Sequence, residues 1–174
     1  ESLPYIESVR QLRWEMGKNS LLIHLTYVPY LAAAKELKTK PTQHSVKLLQ
    51  EQGVQADILV LRTEHDIPMD LRKKVALFCN VEPNAVMQSI DVPSIYRVPL
   101  NMLKEGLDTV ALTKLGFDMN KVAAPDLDRW IHFVEKMEGA DKEVHIGLVG
   151  KYVQLPDAYK SITESLLQAC AYND

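Results

Sequence analysis

Leu21-Leu22-Ile23-His24-Leu25-Thr26-Tyr27-Val28 is apolar and β-branched for most of its length, which predicts a strand buried on both faces. Such strands belong to parallel sheets, because only helices on the two faces hide both sets of side chains. Asp57-Ile58-Leu59-Val60-Leu61 repeats the pattern, and Ala85 to Ser89 reads as a third strand. Between the first two, Tyr30 to Lys40 reads as a loop. Pro41 suits the first turn of a helix, where its missing N–H is no loss. Val46, Leu48 and Leu49 continue that helix to a stop at Gly53. Pro68 breaks the next loop, and Asp70 is placed to cap a helix running through Ala76 to Phe78. Strands alternating with helices make this an α/β chain, a parallel sheet flanked by helices.

On the N-terminal side, Ser2 is placed to cap a first helix with Pro4 in its opening turn. Tyr5, Val9, Leu12 and Met16 share one face of it, and Gly17 ends it. On the C-terminal side, Pro93 and Pro99 cut the chain into short helical pieces ended by Gly106 and Gly116. Asp118 to Pro125 reads as a connector. Leu127, Trp130, Ile131, Val134 and Met137 then form one helical stripe that stops at Gly139. Ala140-Asp141-Lys142-Glu143 is a polar joint at which a domain boundary is expected. Val144-His145-Ile146-Gly147-Leu148-Val149 reads as a fresh strand, and Pro156-Asp157 opens a last helix to about Tyr172.

With 174 residues, 47% hydrophobic and 25% charged, the chain suits one globular domain or one and a part. A net charge of −3 argues against a general nucleic-acid binder. No apolar run approaches the ~20 residues of a membrane span, and no signal-peptide pattern opens the chain. Cys79 and Cys170 cannot make a disulfide framework, and their apolar helical contexts predict buried free thiols in a reducing cytoplasm. Since residue 1 is glutamate, the chain reads as a piece of something longer.

Chemistry is expected at the carboxyl ends of the strands. Lys38-Thr39-Lys40-Pro41-Thr42-Gln43-His44-Ser45 puts two lysines at the positive end of a helix, where the macrodipole disfavours a cation by ~0.3–1 kcal/mol each. Either an anion is shared by the lysines and the first-turn N–H groups, or the stretch is a solvated basic loop. Arg62-Thr63-Glu64-His65 follows the second strand and Asp91 the third. Arg62 has two readings, a ligand contact or a pair with a surface carboxylate. Asp91 suits a ribose contact or a turn equally. Lys73-Lys74 is either a solvated helix face or a phosphate contact. Gly147-Leu148-Val149-Gly150-Lys151-Tyr152 fails as a phosphate loop, having the wrong glycine spacing and a tyrosine where magnesium needs a Ser or Thr. His24, His44, His65, His132 and His145 show no metal-ligand spacing. Cys79 lacks a glycine-rich elbow, and the Trp130 stripe reads as core or interface.

Taken together, these stretches resemble one family. Lys38-Thr39-Lys40-Pro41-Thr42-Gln43-His44-Ser45 resembles the nucleotide-binding signature of the CTP synthase family, and Glu1-Ser2-Leu3-Pro4 resembles a further family segment. Ala76-Leu77-Phe78-Cys79-Asn80-Val81, Ser94-Ile95-Tyr96 with Pro99, and Gly147 to Tyr152 with Leu155-Pro156-Asp157-Ala158-Tyr159-Lys160 come in the same order. The resemblance implies the back half of a synthetase domain, P-loop-like or Rossmann-like and incomplete, over residues 1–117. It further implies a linker with a helix over 118–142 and, over 143–174, the first βα unit of a class I glutaminase domain.

The implied activity is that of a ligase, amination of UTP to CTP with ATP, Mg2+ and ammonia from glutamine, in a cytoplasmic homotetramer with no nucleic-acid or membrane partner. UTP, or the inhibitory product CTP, would be held by Glu1, Lys38, Thr39, Lys40, Pro41, Thr42, Gln43, Lys74 and Phe78. Arg62, Ile90, Asp91 and Val92 would match the ATP site. Lys151, Tyr159 and Lys160 fall where the family senses GTP or joins its domains. The phosphate loop and the magnesium ligands are expected upstream, and the glutaminase Cys-His-Glu set downstream. No catalytic residue is therefore expected within this segment, and no CTP formation from it alone. The alternative is a non-catalytic nucleotide-sensing or oligomerisation module.

Overall fold

The computed structural model describes residues 2–173, and Glu1 lies outside them. The chain forms two compact units, one ending at Ala123 and the other beginning at Ala124.

In chain order the first unit contains α1 (Leu3–Met16), β1 (Ile23–Tyr27), β2 (Tyr30–Leu31), β3 (Glu36–Leu37), α2 (Lys40–Glu51), β4 (Ile58–Thr63), α3 (Met69–Cys79), β5 (Val86–Ile90), α4 (Val98–Glu105) and α5 (Leu107–Lys114). A three-stranded parallel sheet runs in the order β1-β4-β5, with Leu25 opposite Val60 and Val60 opposite Met87. This is the expected α/β architecture, a Rossmann-like parallel sheet flanked by helices. Alternation along β4 explains the layers. Leu59 and Leu61 enter a core with Val46 of α2 and Val75, Ala76 and Cys79 of α3. Ile58 and Val60 point the other way, toward Met87, with Met102 of α4 and Leu107, Val110 and Ala111 of α5 packed beside them. Each such side chain contributes ~1.5–3 kcal/mol by leaving water, which is why the central strand carries the most apolar run.

Several sequence expectations need correction. β1 is covered on one face only: Ile23, Leu25 and Tyr27 are 45%, 63% and 45% exposed. Ile58 and Val60, opposite Ile23 and Leu25 on β4, pack with residues of α4 and α5, but among the described residues no helix of the unit covers β1 on that side. An apolar run tells how much surface could be hidden, not whether anything is there to hide it. Tyr30 to Lys40 is more than a loop, since Tyr30 pairs with Leu37 and Leu31 with Glu36 in the antiparallel β2–β3 hairpin. Pro68, not Asp70, occupies the cap position of α3, and Asp70 lies in its first turn, where the macrodipole favours a carboxylate. No residue of α1 is buried, its apolar stripe included. The helix ends behave as expected: Gly53, Gly106 and Gly116 all take φ between +76° and +81°.

The second unit contains α6 (Asp128–Glu138), a 3-10 turn over Pro156–Tyr159 and α7 (Lys160–Asn173). Residues 144–149 form no strand. A strand is defined by a hydrogen-bonded neighbour, and no described segment supplies one, so Val144, Ile146 and Val149 stay exposed. Cys170 is likewise exposed rather than buried, lining an open groove of about 900 Å³ between α6 and α7. Among the described residues no helix is long and apolar enough to cross a membrane.

Candidate functional site

The β1–α2 junction builds the first group. Lys40 is the first and Pro41 the second residue of the twelve-residue α2, as the fixed φ of proline favours. Thr39 precedes the helix without capping it; its hydroxyl instead accepts from Gln43 Nε2 at 3.1 Å. The first-turn N–H groups therefore have no helical carbonyl to donate to. Lys38 is anchored by its backbone N–H, which donates to the Pro29 carbonyl at 2.9 Å, and its ammonium pairs with the Glu36 carboxylate of the hairpin. Lys40 is exposed, with no carboxylate partner among the described residues. One of the two cations thus has a local counter-ion, and the other stands open at the positive end of a helix.

Beneath this turn lies a polar layer. On the α2-facing side of β1, His24 Nε2 lies 2.9 Å from Ser45 Oγ and Thr26 Oγ1 3.0 Å from Thr42 Oγ1. Thr42 Oγ1 also donates to the Tyr27 carbonyl at 3.1 Å. A hydroxyl has one proton, so Thr26 must be the donor to Thr42. Thr42 is fully buried and Thr26 nearly so. Burial pushes the His24 imidazole below its ordinary pKa.

The strand ends supply the second group. Arg62 Nε donates to Asp91 Oδ1 at 3.1 Å, and this partnership raises the guanidinium pKa further. Tyr27 donates its hydroxyl to Glu64 Oε1 at 2.9 Å, a bond that holds the phenol above its usual pKa. The buried Thr63 hydroxyl donates to the His65 carbonyl at 2.8 Å. Its own carbonyl accepts the Asp91 N–H at 2.9 Å, which fixes where Ile90, Asp91 and Val92 leave β5. The His65 ring lies 4.0 Å, centroid to centroid, from Tyr30 of the hairpin. Arg62, Asp91, Ile90 and Val92 are thus brought to the carboxyl end of the sheet, and the surface-pair reading of Arg62 is realised in its bond to Asp91.

Lys74 and Phe78 lie one turn apart on the exposed face of α3, and no hydrogen bond or ion pair among the described residues ties them to the Lys38–Gln43 turn. In the second unit the Tyr159 hydroxyl donates to the Lys151 carbonyl at 2.5 Å, and Lys160 pairs with Glu164 at 2.8 Å. A Cβ on Gly150 would stand 2.3 Å from that Tyr159 hydroxyl, so any other residue there would push the tyrosine tip aside.

Glu36, Thr26 and Tyr27 were not singled out as site residues by the sequence reading, and Ser45 entered it only as the end of the Lys38–Ser45 stretch. Thr26 and His24 did carry a signal, being the polar residues at alternate positions of an otherwise apolar strand. Magnesium finds no fit among the described residues: no group of three His, Cys, Asp or Glu could hold a metal, and Glu36, Glu64 and Asp91 are each bonded to a neighbour. Cys79 is a poor nucleophile: it is fully buried, and burial pushes its thiol up to about 11.

The family model described as CTP synthase N-terminus matches residues 1–117. A CTP synthase of Bacteroides fragilis is 62% identical over 174 residues, all of this chain and 32% of that protein. One from Porphyromonas gingivalis is 60% identical over 173 residues, 99% of this chain and 32% of the relative. One from Flavobacterium johnsoniae is 61% identical over 175 residues, again all of this chain and 32% of the relative. The chain spans about a third of the length of the curated relatives it matches. These matches correct the expected placement. The matching model is that of the family's N-terminus, so the segment is identified by that N-terminal domain. It is not identified as the back half of a synthetase domain running through a linker into a glutaminase, and no glutaminase βα unit is distinguishable in the second unit. A chain matched by that model over residues 1–117, and 60–62% identical to three such enzymes along its length, belongs to the CTP synthase family.

Proposed function

We propose that this chain carries pyrimidine-nucleotide and ATP contacts of a ligase that aminates UTP to CTP, using ATP and ammonia from glutamine. Lys38, Lys40 and the first-turn N–H groups of Thr39 and Lys40 bind the triphosphate of UTP, or of CTP as inhibitor, while Thr42 and Gln43 hold the turn from within, Gln43 through its bond to the Thr39 hydroxyl. Pro41 presets that turn, Glu1 meets the ribose, and Lys74 and Phe78 reach the nucleotide from α3, from the same subunit or a neighbouring one in a homotetramer. Arg62 and the main chain of Ile90, Asp91 and Val92 receive the adenine of ATP. Magnesium travels with ATP on ligands outside the described residues. Residues 118–142 act as an interdomain connector, and Lys151, Tyr159 and Lys160 respond to GTP or to the domain junction. The protein works in the cytoplasm, without nucleic-acid or membrane partners.

The observation that carries this reading is Lys40, an exposed cation without a carboxylate partner, set at the N-terminus of a twelve-residue helix. An isolated cation is disfavoured there by ~0.3–1 kcal/mol, and a bound phosphate reverses the sign. Lysines, as hydrated point charges, suit a triphosphate that must also leave. Calorimetry on the intact protein tests it. Lys40→Ala should weaken both UTP and CTP by about tenfold or more, the scale of one to three charge-assisted hydrogen bonds. Lys38→Ala should do less, because Glu36 already neutralises that cation. Unchanged affinity in Lys40→Ala overturns the reading.

A further inference from the structure

We propose that the buried Thr26–Thr42 hydroxyl pair, backed by His24–Ser45, sets the depth and rotation at which the Lys38–Gln43 turn meets the nucleoside triphosphate. Thr26, His24 and Thr42 are then positioning residues, the Thr42 hydroxyl facing inward. This rests on the triphosphate reading of the turn.

Burial and direction carry the inference. Thr42 is 0% and Thr26 6% exposed, so the Thr42 hydroxyl cannot reach a ligand in the cleft. Apolar side chains of the same shape would fill the space equally well, and Val46, one turn further along α2, already anchors the helix in the core. What the hydroxyls add is orientation. The proton chain runs one way, from Thr26 to Thr42 and from Thr42 to the carbonyl of Tyr27, the last residue of β1. It pins the start of α2 to the carboxyl end of a strand whose own end is tied to the neighbouring loop by Tyr27–Glu64. The second pair, His24 with Ser45, lies three residues along α2 and two back along β1, so two points fix both slide and rotation. Lys40 stands two residues before Thr42 in the same rigid turn. Since one residue of helix is ~100° of rotation, a small slip of α2 swings Lys40 away from where the phosphates sit.

The test uses the intact protein, with UTP varied against saturating ATP and ammonia as nitrogen source. Thr26→Val and Thr42→Val keep shape and remove the bonds. Each should raise KM for UTP by about tenfold to a hundredfold, the penalty of a misplacement near 1 Å, while KM for ATP stays unchanged. Thr26→Ser should restore KM for UTP. If both valine variants keep the parental KM for UTP while Lys40→Ala raises it, the positioning role is overturned and the triphosphate reading stands. If Lys40→Ala also leaves UTP unaffected, both fall together. Loss of thermal stability with equal damage to UTP and ATP kinetics would mark a merely structural pair and overturn the proposal. Should Thr42→Val fail to fold, Ser45→Ala, on the half-exposed side of the helix, takes its place: a selective rise in KM for UTP supports the role, and an unchanged value overturns it.

Discussion

His24 is half-buried beneath α2, and desolvation holds its imidazole below the ordinary 6.5. The folded state therefore prefers the neutral ring, while the unfolded chain takes up a proton near pH 6.5. Stability from this residue is fully present above about pH 6.5 and is lost as the pH falls through the lower, folded-state value. Denaturant unfolding at a series of pH values should show a midpoint that is flat above neutrality and falls on the acid side. His24→Gln keeps a partner for Ser45 without a proton to take up, and should flatten that acid limb. A limb of unchanged slope in the variant would assign the acid loss to other groups. Burial favours the neutral form of Cys79 too, here by raising the pKa, because the thiolate is its charged form. At this scale the sequence exposed which residues were unusual, such as a histidine and a threonine in an apolar strand or a lysine at a helix start. It did not expose their partners. Thr26 and Thr42 are 16 residues apart, and Arg62 and Asp91 are 29 apart; only the β-α-β winding brings them together.

Between elements, the Arg72–Glu105 pair is a part-buried polar joint of the first unit. Arg72 Nη1 lies 2.5 Å from Glu105 Oε2, and the two side chains are only 11% and 17% exposed. The same carboxylate oxygen accepts the Gln88 N–H at 3.1 Å, and Arg72 Nε donates to the Ile67 carbonyl at 3.0 Å. Gln88 then reaches Asp66 at 2.8 Å and accepts from the Ile67 N–H at 2.8 Å. One carboxylate thus joins α4 to α3 and closes the outer edge of β5, which would otherwise offer unpaired N–H groups. Removing one partner of a buried pair leaves an uncompensated charge. In this part-buried setting Glu105→Ala should cost ~2–3 kcal/mol in urea unfolding, the scale of hydrogen bonds to a charged group, with Glu105→Gln milder because it still accepts from Gln88. A loss below about 1 kcal/mol would class the pair with surface ion pairs. Elements whose limits are written in Gly and Pro were legible: α2 stops before Gly53, and α4 and α5 are cut by Pro99, Gly106 and Gly116. The β2–β3 hairpin was not, because two-residue strands are too short to show a period of two. The bare face of β1 was not legible either, since side-chain composition carries no information about missing cover.

For the whole chain, two compact units meet at Ala123 and Ala124, and legibility differs between them. In the first, alternation of apolar strands with helices fixed the class of fold, and the Lys38–Gln43 turn was readable because its residues are contiguous. In the second, Val144 to Val149 has the composition of a strand and none of the pairing, so composition alone misled. Residues 117–127 join the units without helix or strand, and Lys121 there is 83% exposed on its side chain, which makes a 3.4 Å pair with Asp118, while its N–H donates to the Asp118 carbonyl at 2.9 Å. Proteases cut where backbone opens at little cost, in exposed segments with few buried contacts. Limited trypsinolysis of the 174-residue chain should therefore cut first in the segments without helix or strand, after Lys121, Lys142 or Lys151, ahead of Lys47, Lys73 or Lys104, which lie within α2, α3 and α4. Mass spectrometry of the first products decides it. The N-terminal product retains β1, β4, β5 and both core clusters, so it should unfold cooperatively by itself. An initial cut inside α2 or α3 would mean that the sheet opens more easily than the connector. The half of β1 left uncovered by α4 and α5 would then be the place where opening starts.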